Sequence, residues 1–374
     1  MLSHALGSRP IYATSSSEKR GLNRRGQSAP LINAPGYESR HRPNASRSPV
    51  PSGTTRKRKR RLRLVLTRRR AFAGPAQRYG ARSAKALSVT RIAVTGGCGK
   101  AGRAVVRDLL EHGHDVLNID RVPLTNSLAP ESPAPYLPAD VTDFGQTLEA
   151  LSGGETLPGI EAVVHLAAIP SPVHATPDQV FRTNITSTHT VFSAAARLGL
   201  RRVVWASSET TLGLPFERPP DYAPVDEAHV YPQSSYALSK VLGEEMARQF
   251  SRWSGMPIIG LRFSNIMVRE DYEKFPTFWD DPHLRKWNLW GYVDESHVTQ
   301  SVRLALGADS GGADNFIIAA ADTVMKRPSR DLMAEVFPGV PIAEKIEGTD
   351  TLLDITKAKS VLGYSPEFTW RTLF

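Results

Sequence analysis

Cysteine and long apolar runs are almost absent from this sequence, and each absence excludes a class of protein. The 374 residues include one cysteine, Cys98, which excludes an internal disulfide and an all-cysteine metal site. No apolar run reaches about 18 residues, so no membrane-spanning helix is predicted. Apolar residues make up 40% and charged residues 22% of the chain, a composition typical of a folded protein with one large domain or two ordinary ones. The histidines, among them His165, His174 and His297, lack the spacing of metal ligands, so no metal site is predicted.

Acidic residues are scarce in the first 88 positions. That segment holds 21 Lys and Arg residues against two acidic ones, Glu18 and Glu38, which gives it a net charge of +19. Residues 89–374 carry 26 basic and 35 acidic residues, a net charge of −9. The basic character of the chain therefore belongs to the N-terminal segment, and nucleic-acid binding is not expected of the folded part.

Residues 1–88 are predicted to form a disordered basic arm, because they are rich in Ser, Arg, Pro and Gly and show no apolar periodicity. The densest clusters are residues 56–61 and 68–70. Three functions are compatible with these clusters. They contact nucleic acid or anionic lipid, they act as a nuclear-type targeting signal, or they belong to an organelle transit peptide. The alternative is a leader without function, produced by an over-extended start. We expect a cytoplasmic protein, with organelle targeting by the arm as the other possibility.

A glycine-rich turn lies between a predicted strand, residues 91–95, and a predicted helix, residues 103–112. Gly96 permits a tight turn, Gly99 lets the backbone approach a pyrophosphate, and Gly102 lets the helix pack closely on the strand. The helix N-terminus supplies amide donors and a positive dipole end for that anion. This arrangement predicts a dinucleotide site.

Asp120 ends the second predicted strand, residues 114–119, and follows Gly102 by 18 residues. A carboxylate there accepts hydrogen bonds from the ribose hydroxyls of NAD and repels the extra phosphate of NADP. Arg121 is instead a side chain of the type that binds a 2′-phosphate. NAD is therefore the favoured cofactor, and NADP remains an alternative. Further strands alternate with helical stretches, which predicts a doubly wound α/β fold with a parallel sheet and a ligand at the carboxyl ends of its strands.

Ser208 ends the fifth predicted strand, and Tyr236 follows it by 28 residues at the start of a helix. Tyr236 and Lys240 are four residues apart and share one helix face. An ammonium group beside a phenol favours the phenolate, which predicts a lowered pKa for Tyr236. Such a tyrosine exchanges a proton with a substrate hydroxyl or carbonyl, while Ser208 holds the substrate oxygen and Lys240 is also placed to bind ribose. An ordinary exposed helix pair is the alternative interpretation.

In this order the motifs resemble the extended short-chain dehydrogenase/reductase superfamily, specifically the NAD-dependent epimerase/dehydratase family, over about residues 90–370. The matching elements are Thr95-Gly96-x-x-Gly99-x-x-Gly102, Asp120, Asp140-Val141, His165-Leu166-Ala167-Ala168, Asn184, Ser207-Ser208, Tyr236-x-x-x-Lys240, Leu261-Arg262-Phe263-x-Asn265, Gly291-Tyr292-Val293-Asp294, Asp354, Lys357-Ala358 and Leu362-Gly363-Tyr364-x-Pro366.

The resemblance implies a Rossmann-type domain over residues 89–262 and a small substrate-binding subdomain, with returning sheet and helix elements, over residues 263–374. It implies that Tyr236 is the acid/base and that Ser208 binds the substrate oxygen. It also implies that Lys240 lowers the pKa of Tyr236 and binds the ribose. It also implies a homodimer formed through the helices that carry Asn184 and Tyr236. The cofactor contacts expected with it are Gly96, Gly99, Lys100, Ala101, Gly102, Asp120, Arg121, Asp140, Val141, Leu166, Ala167, Ala168, Asn184 and Lys240.

Three features depart from the epimerase pattern. Lys100-Ala101 replaces an aromatic and an aliphatic residue, and Leu212-Gly213 replaces a Tyr-Gly pair. The second change is similar to the uronate dehydrogenases. The segment between Asn265 and Trp290 is also short for a nucleotide-sugar cap. The substrate ligands expected from these comparisons are Ser208, Glu209, Thr210, Arg262 and Asn265.

For Glu209 and Thr210 the alternative is a polar loop, and for Arg262 it is a structural role. The aromatic and basic side chains of the cap either contact a sugar or pack the subdomain. They are Arg269, Tyr272, Phe275, Phe278, Trp279, Arg285, Lys286, Trp287 and Trp290.

The expected function is NAD-dependent transfer of a hydride between a sugar-like or polyol-like carbon and nicotinamide. An epimerase or dehydratase, which returns the hydride to its substrate, is the first alternative. A non-catalytic dinucleotide-binding sensor or scaffold is the second.

Overall fold

The structure is a computed structural model that describes residues 91–122 and 134–374. The basic arm predicted over residues 1–88, with its arginine clusters, lies outside these residues. Among the described helices, none is both long and apolar enough to cross a bilayer.

Seven strands form the main sheet, and they alternate along the chain with helices. They are β1 (Arg91–Thr95), β2 (Asp115–Asp120), β3 (Tyr136–Pro138), β4 (Ala162–His165), β5 (Arg202–Ser208), β6 (Ile258–Phe263) and, after two short strands, β9 (Ala313–Ile318). All neighbours pair in parallel, in the order β3-β2-β1-β4-β5-β6-β9. The strand order reverses between β1 and β4, which opens a crevice at their carboxyl ends. The predicted doubly wound α/β fold is confirmed.

Within residues 91–122 and 134–374, six α-helices accompany the sheet, and four of them begin after a side-chain cap. They are α1 (Lys100–Glu111), α2 (Phe144–Ser152), α3 (Pro177–Leu198), α4 (Ser235–Ser254), α5 (Glu295–Gly307) and α6 (Ser329–Val336). Helix α3 begins after the side-chain cap of Thr176, has Pro177 in its first turn, and ends at Gly199 with φ +68°. Helix α1 begins three residues before the predicted start, because Gly99 is extended and the chain turns into the helix directly after it.

Both faces of the sheet are covered, because successive side chains of a strand point to opposite sides and both sets are apolar. In β1, Ile92 and Val94 pack into one core cluster and Ala93 into the other, and all three are fully buried. The sequence places no polar face on this strand. The functional groups therefore lie beyond its carboxyl end, in the loops.

The segment after β6 builds the cap. It contains the short parallel pair β7 (Ile266–Met267) and β8 (Val293–Asp294), with 3₁₀ helices at Arg269–Phe278, Pro282–Leu284 and Lys286–Asn288 between them. Its aromatic side chains Tyr272, Phe275, Trp290 and Tyr292 are less than 4% exposed, and all but Trp290 pack in one ring cluster with Trp370 from the C-terminal end of the chain. For Tyr272, Phe275 and Trp290 the packing alternative is thus the correct one, because these rings are buried in the core.

Candidate active site

The glycine turn has the geometry of an anion cradle. Gly96 adopts φ +75°, and a Cβ at Gly102 would lie 2.1 Å from the Gly96 carbonyl oxygen. Gly99 caps α1 without a side-chain hydrogen bond, so no side chain occupies the amide donors at the helix start. Only glycines permit this approach, and the exposed helix N-terminus suits a diphosphate. The residues present therefore fit a dinucleotide cofactor.

Asp120 is held at the end of β2 beside this turn. Its carboxylate oxygens accept hydrogen bonds from the Cys98 backbone N–H at 3.0 Å and the Val122 N–H at 3.1 Å. These bonds fix the carboxylate where a ribose hydroxyl would donate to it. Arg121 is exposed on the same turn. Two bonds from Thr142, from its backbone N–H and hydroxyl, lower the pKa of Asp140, and the charge of Arg121 also contributes.

The loop after β4 forms the opposite wall of the crevice. A Cβ at Gly96 would lie 2.6 Å from the Ala167 nitrogen, so the turn and this loop are in close contact. Asn184 is buried, and its side-chain amide both accepts from the Ile169 N–H at 2.8 Å and donates to the Ile169 carbonyl at 3.0 Å. Both its polar atoms are thus engaged by protein. Asn184 therefore fixes the position of this loop, and its contact with a cofactor stays a prediction.

The other predicted cofactor residues differ in how exposed their side chains are. Lys100 is exposed and Ala101 half-buried at the helix start, and Leu166 and Ala168 are half-buried beside Ala167. Val141 is buried after β3, and its carbonyl accepts a hydrogen bond from the Thr190 hydroxyl. Their contact with a cofactor stays a prediction.

Ser208, Tyr236 and Lys240 come together at the carboxyl end of β5. All three are less than 10% exposed, and the Ser208 side chain lies close enough to the Tyr236 hydroxyl to lower the pKa of the phenol. The Lys240 ammonium lies 5.6 Å from the centroid of the Tyr236 ring and donates to the Ala206 carbonyl at 2.8 Å. The exposed-pair alternative is therefore wrong. These groups can bind a substrate oxygen and exchange its proton.

The predicted direction of the Tyr236 pKa is wrong for the protein alone. Burial raises the pKa of Tyr236 to about 12, against the lowering effect of its bond to Ser208, and the charge of Glu209 raises it further. Burial also lowers the pKa of Lys240 to about 8. Desolvation disfavours both charged forms, and it outweighs the attraction between phenolate and ammonium that the helix spacing suggested.

Glu209 and Thr210 differ in their surroundings. Glu209 is 4% exposed; its carboxylate accepts from the Ser264 hydroxyl at 2.5 Å and from the Asn288 amide at 3.3 Å. Burial raises the pKa of Glu209 to about 7, although the Arg285 charge and these bonds oppose the shift. Glu209 therefore holds protein partners instead of presenting its carboxylate to a substrate. Thr210 is half-buried, and its hydroxyl donates to the Ser208 hydroxyl oxygen at 3.0 Å.

Arg262 is a buried ion-pair residue rather than a substrate ligand. Its Nη2 lies 2.7 Å from the Glu244 carboxylate, its Nε donates to the same group at 2.8 Å, and its Nη1 donates to the Glu227 carbonyl at 2.9 Å. With 3% exposure, the guanidinium is fully engaged by protein. Asn265 is half-buried, and its carbonyl accepts from the Val293 N–H at 3.0 Å, which joins the cap to the strand end.

Two members of the Glu209 cluster, Ser264 and Asn288, have no signal in the sequence. They lie 55 and 79 residues from Glu209 along the chain, and Ser264 is the variable position of the motif Leu261-Arg262-Phe263-x-Asn265. Only the fold brings them together. Across residues 91–122 and 134–374, no group of three His, Cys, Asp or Glu side chains is arranged to hold a metal ion.

Comparison with known proteins places the fold and the site in a family. The sequence model of the NAD dependent epimerase/dehydratase family matches residues 92–279. A NAD-dependent glucose-6-phosphate dehydrogenase from Haloferax volcanii is 29% identical over 272 residues, 68% of this chain and 98% of that protein. A UDP-glucose 4-epimerase from Corynebacterium glutamicum is 30% identical over 313 residues, 75% and 92% of the two chains.

Among solved structures, a UDP-glucose 4-epimerase from Thermotoga maritima superposes with a TM-score of 0.57 at 22% identity, covering 75% of this chain and 94% of that one. This likeness supports the fold. The family match spans the glycine turn, Asp120 and the Ser208-Tyr236-Lys240 group, the features that the structure assembles around one crevice. The chain therefore belongs to the NAD-dependent epimerase/dehydratase family of enzymes.

Proposed function

We propose that this enzyme is a dehydrogenase that oxidises a sugar-like or polyol-like hydroxyl with NAD. The observation that carries the proposal is the buried group of Ser208, Tyr236 and Lys240 at the carboxyl end of β5, on the crevice edge that holds the glycine turn. A hydroxyl, a phenol and an ammonium group in this order supply oxygen binding, proton transfer and charge.

Each side chain has a defined task in this reaction. Ser208 donates a hydrogen bond to the substrate oxygen and orients it toward Tyr236. Tyr236, as phenolate, takes the hydroxyl proton when the alcohol is oxidised, and its O–H returns a proton when a carbonyl is reduced. Lys240 stabilises the phenolate with its positive charge. Bound NAD supplies the nicotinamide carbon that accepts the hydride. Gly96, Gly99, Gly102, Asp120 and Lys240 would hold that cofactor.

The packing of the cap favours a small substrate over a nucleotide sugar. Three of its rings are buried in the protein core: Tyr272 and Phe275 pack on each other and on Phe368 and Trp370, and Trp290 packs on Phe337. Because these rings are buried in the core, the cap has less aromatic surface available to contact a nucleotide. The Haloferax volcanii relative is a dehydrogenase of glucose 6-phosphate, which is a small sugar, and this supports the same substrate class.

An epimerase or dehydratase with tightly held NAD is the second candidate. It is favoured by the 30% identity to the Corynebacterium glutamicum UDP-glucose 4-epimerase, which extends over 75% of this chain. The two candidates differ in what happens to the cofactor. A dehydrogenase exchanges it at every turnover, whereas an epimerase returns the hydride and retains it.

One experiment separates these candidates. Purified protein is denatured, its released NAD and NADP are measured, and the native protein is assayed with NAD and a panel of aldoses, sugar phosphates, uronates and UDP-sugars. The proposal predicts little retained NAD, and NADH formation with a small sugar. Stoichiometric retained NAD with isomerisation of a UDP-sugar, and no net NADH, would contradict it. NAD binding without any turnover would support the sensor alternative.

Two further predictions concern the context of the enzyme. The homodimer is supported by two exposed leucines on α4, Leu238 at 42% and Leu242 at 39% exposure, which are four residues apart on one helix face. A cytoplasmic location, or organelle targeting by residues 1–88, is tested by following a fluorescent fusion of the full chain and of a chain without residues 2–88.

A further inference from the structure

Lys100 connects the glycine turn to the cap. It is the first residue of α1, directly after Gly99, and its ammonium lies 2.7 Å from the Asp271 carboxylate and 3.2 Å from the Ile266 carbonyl. Asp271 belongs to the 3₁₀ helix Arg269–Phe278, which follows β7. The bond therefore joins residues separated by 171 positions in the chain.

This bond lies directly beside the glycine turn, because Lys100 follows Gly99 at the start of α1. The turn follows β1 and the cap segment follows β6, and β4 and β5 lie between these strands in the sheet. A diphosphate bound at the start of α1 would contact the amides beside Lys100. A dinucleotide with its diphosphate at the start of α1 and its reactive end near Tyr236 would lie close to both the turn and the cap, the two parts that this ion pair joins.

The strength of the ion pair suits a contact that opens and closes. The Lys100 side chain is 46% exposed and that of Asp271 is 20% exposed. Solvent screening limits such a pair to about 0.2–1 kcal/mol, so it breaks readily. Asp271 also accepts a bond from the Val268 N–H at 3.2 Å, which keeps the carboxylate in place when Lys100 leaves.

We propose that Lys100 and Asp271 form a clasp that controls the exchange of NAD: closed, it slows both entry and departure of the cofactor. The proposal rests on the cofactor of the family and not on the proposed reaction. A different role for Lys100, as a direct ligand of the diphosphate, leads to the opposite effect when Asp271 loses its charge, because Lys100 is then freed for the phosphate.

The test measures NADH binding and release by stopped-flow fluorescence in the whole chain and in Asp271→Asn, Lys100→Met and Lys274→Met. Asparagine keeps an oxygen for the Val268 N–H while it removes the charge. Lys274 is the matched control, because it lies 3.5 Å from Asp271 on the same 3₁₀ helix, is 71% exposed, and does not join the cap to the turn.

The clasp predicts that Asp271→Asn raises the association and dissociation rate constants together, each by about 1.4- to 5-fold, with less than a twofold change in Kd. Lys100→Met also releases NADH faster, Lys274→Met matches the wild type, and the Asp271→Asn effect shrinks in 0.5 M NaCl. Unchanged or slower release from Asp271→Asn, or unchanged release from Lys100→Met, would overturn the clasp. Failure of the wild type to bind NADH would overturn it together with the cofactor assignment.

Discussion

The carboxylate of Glu209 accepts a 2.5 Å hydrogen bond from the Ser264 hydroxyl, and this links the residue after Ser208 to the residue after β6. Both side chains are buried, at 4% and 3% exposure. Arg285, from the cap, contributes its positive charge to the same cluster. The bond thus fixes the carboxyl end of β5 against the base of the cap, and its strength depends on the charge of one carboxyl group.

Glu209 should make stability depend on pH. Its pKa is raised by burial from 4.5 to about 7, so the folded protein favours the protonated carboxyl. The stabilisation is fully present below about pH 4.5 and is lost as the pH rises through about 7, a difference of about 3 kcal/mol in the free energy of unfolding. Denaturant titrations between pH 5 and 8 should show this fall in the wild type relative to Glu209→Gln. The exposed Glu245→Gln serves as control; equal pH profiles for wild type and Glu209→Gln would contradict the assignment.

The Arg262–Glu244 pair should be a structural ion pair. Glu244 is 3% exposed and also accepts from the Ser207 hydroxyl at 2.6 Å. Removing one partner leaves the other charge buried, so Arg262→Met should lower the free energy of unfolding by about 3–5 kcal/mol, and adding Glu244→Leu should restore much of it. Arg248→Met, which breaks the exposed pair with Glu245, should change little. If Arg262→Met instead keeps its full stability and loses affinity for the substrate, Arg262 is a substrate ligand.

Gly102 should tolerate no side chain. A Cβ there would lie 2.1 Å from the Gly96 carbonyl oxygen and 2.6 Å from the Gly97 Cα, both backbone atoms that cannot rotate away. Gly102→Ala should therefore abolish measurable NADH binding or destabilise the protein strongly. Gly307→Ala, at a helical position with no atom within 4 Å of the added Cβ, should bind NADH normally. NADH fluorescence titration with circular dichroism distinguishes the two; normal binding by Gly102→Ala would show that the turn is wrongly described.

The α4 surface should be the dimer contact. Leu242→Glu places a charge on the face that carries the exposed Leu238, and burial of that charge in an interface is costly. Light scattering after size exclusion should show a dimer for the wild type and a monomer for the variant. Val361→Glu, at a position 52% exposed away from α4, should remain a dimer. An unchanged mass for Leu242→Glu would show that the dimer interface lies elsewhere on the protein.

Local signals in the sequence predict the fold and the first half of the site well. Apolar runs such as Ile92–Val94 and the glycine spacing each act within a few residues, so β1 and the turn follow directly. The i and i+4 spacing also places Tyr236 and Lys240 on one face, beside a strand-end serine. These relationships are local or topological.

What the sequence could not show depends on tertiary burial. Arg262 is equally compatible with a ligand and with an ion pair until Glu244 is known to lie 2.7 Å away. The pKa of Tyr236 depends on how completely the fold removes it from water, which the helix spacing does not reveal. The contact of Lys100 with Asp271 likewise arises only when the cap folds back toward the turn.

The central claim is that Tyr236 transfers the proton, and Tyr236→Phe tests it most directly. The variant removes one hydroxyl, and Tyr231→Phe makes the same change at a tyrosine that is 45% exposed. With the substrate found in the panel, the account predicts that Tyr236→Phe loses at least about 100-fold in kcat while its Kd for NADH stays within about twofold, and that Tyr231→Phe behaves as wild type. Undiminished turnover by Tyr236→Phe with intact NADH binding would contradict it.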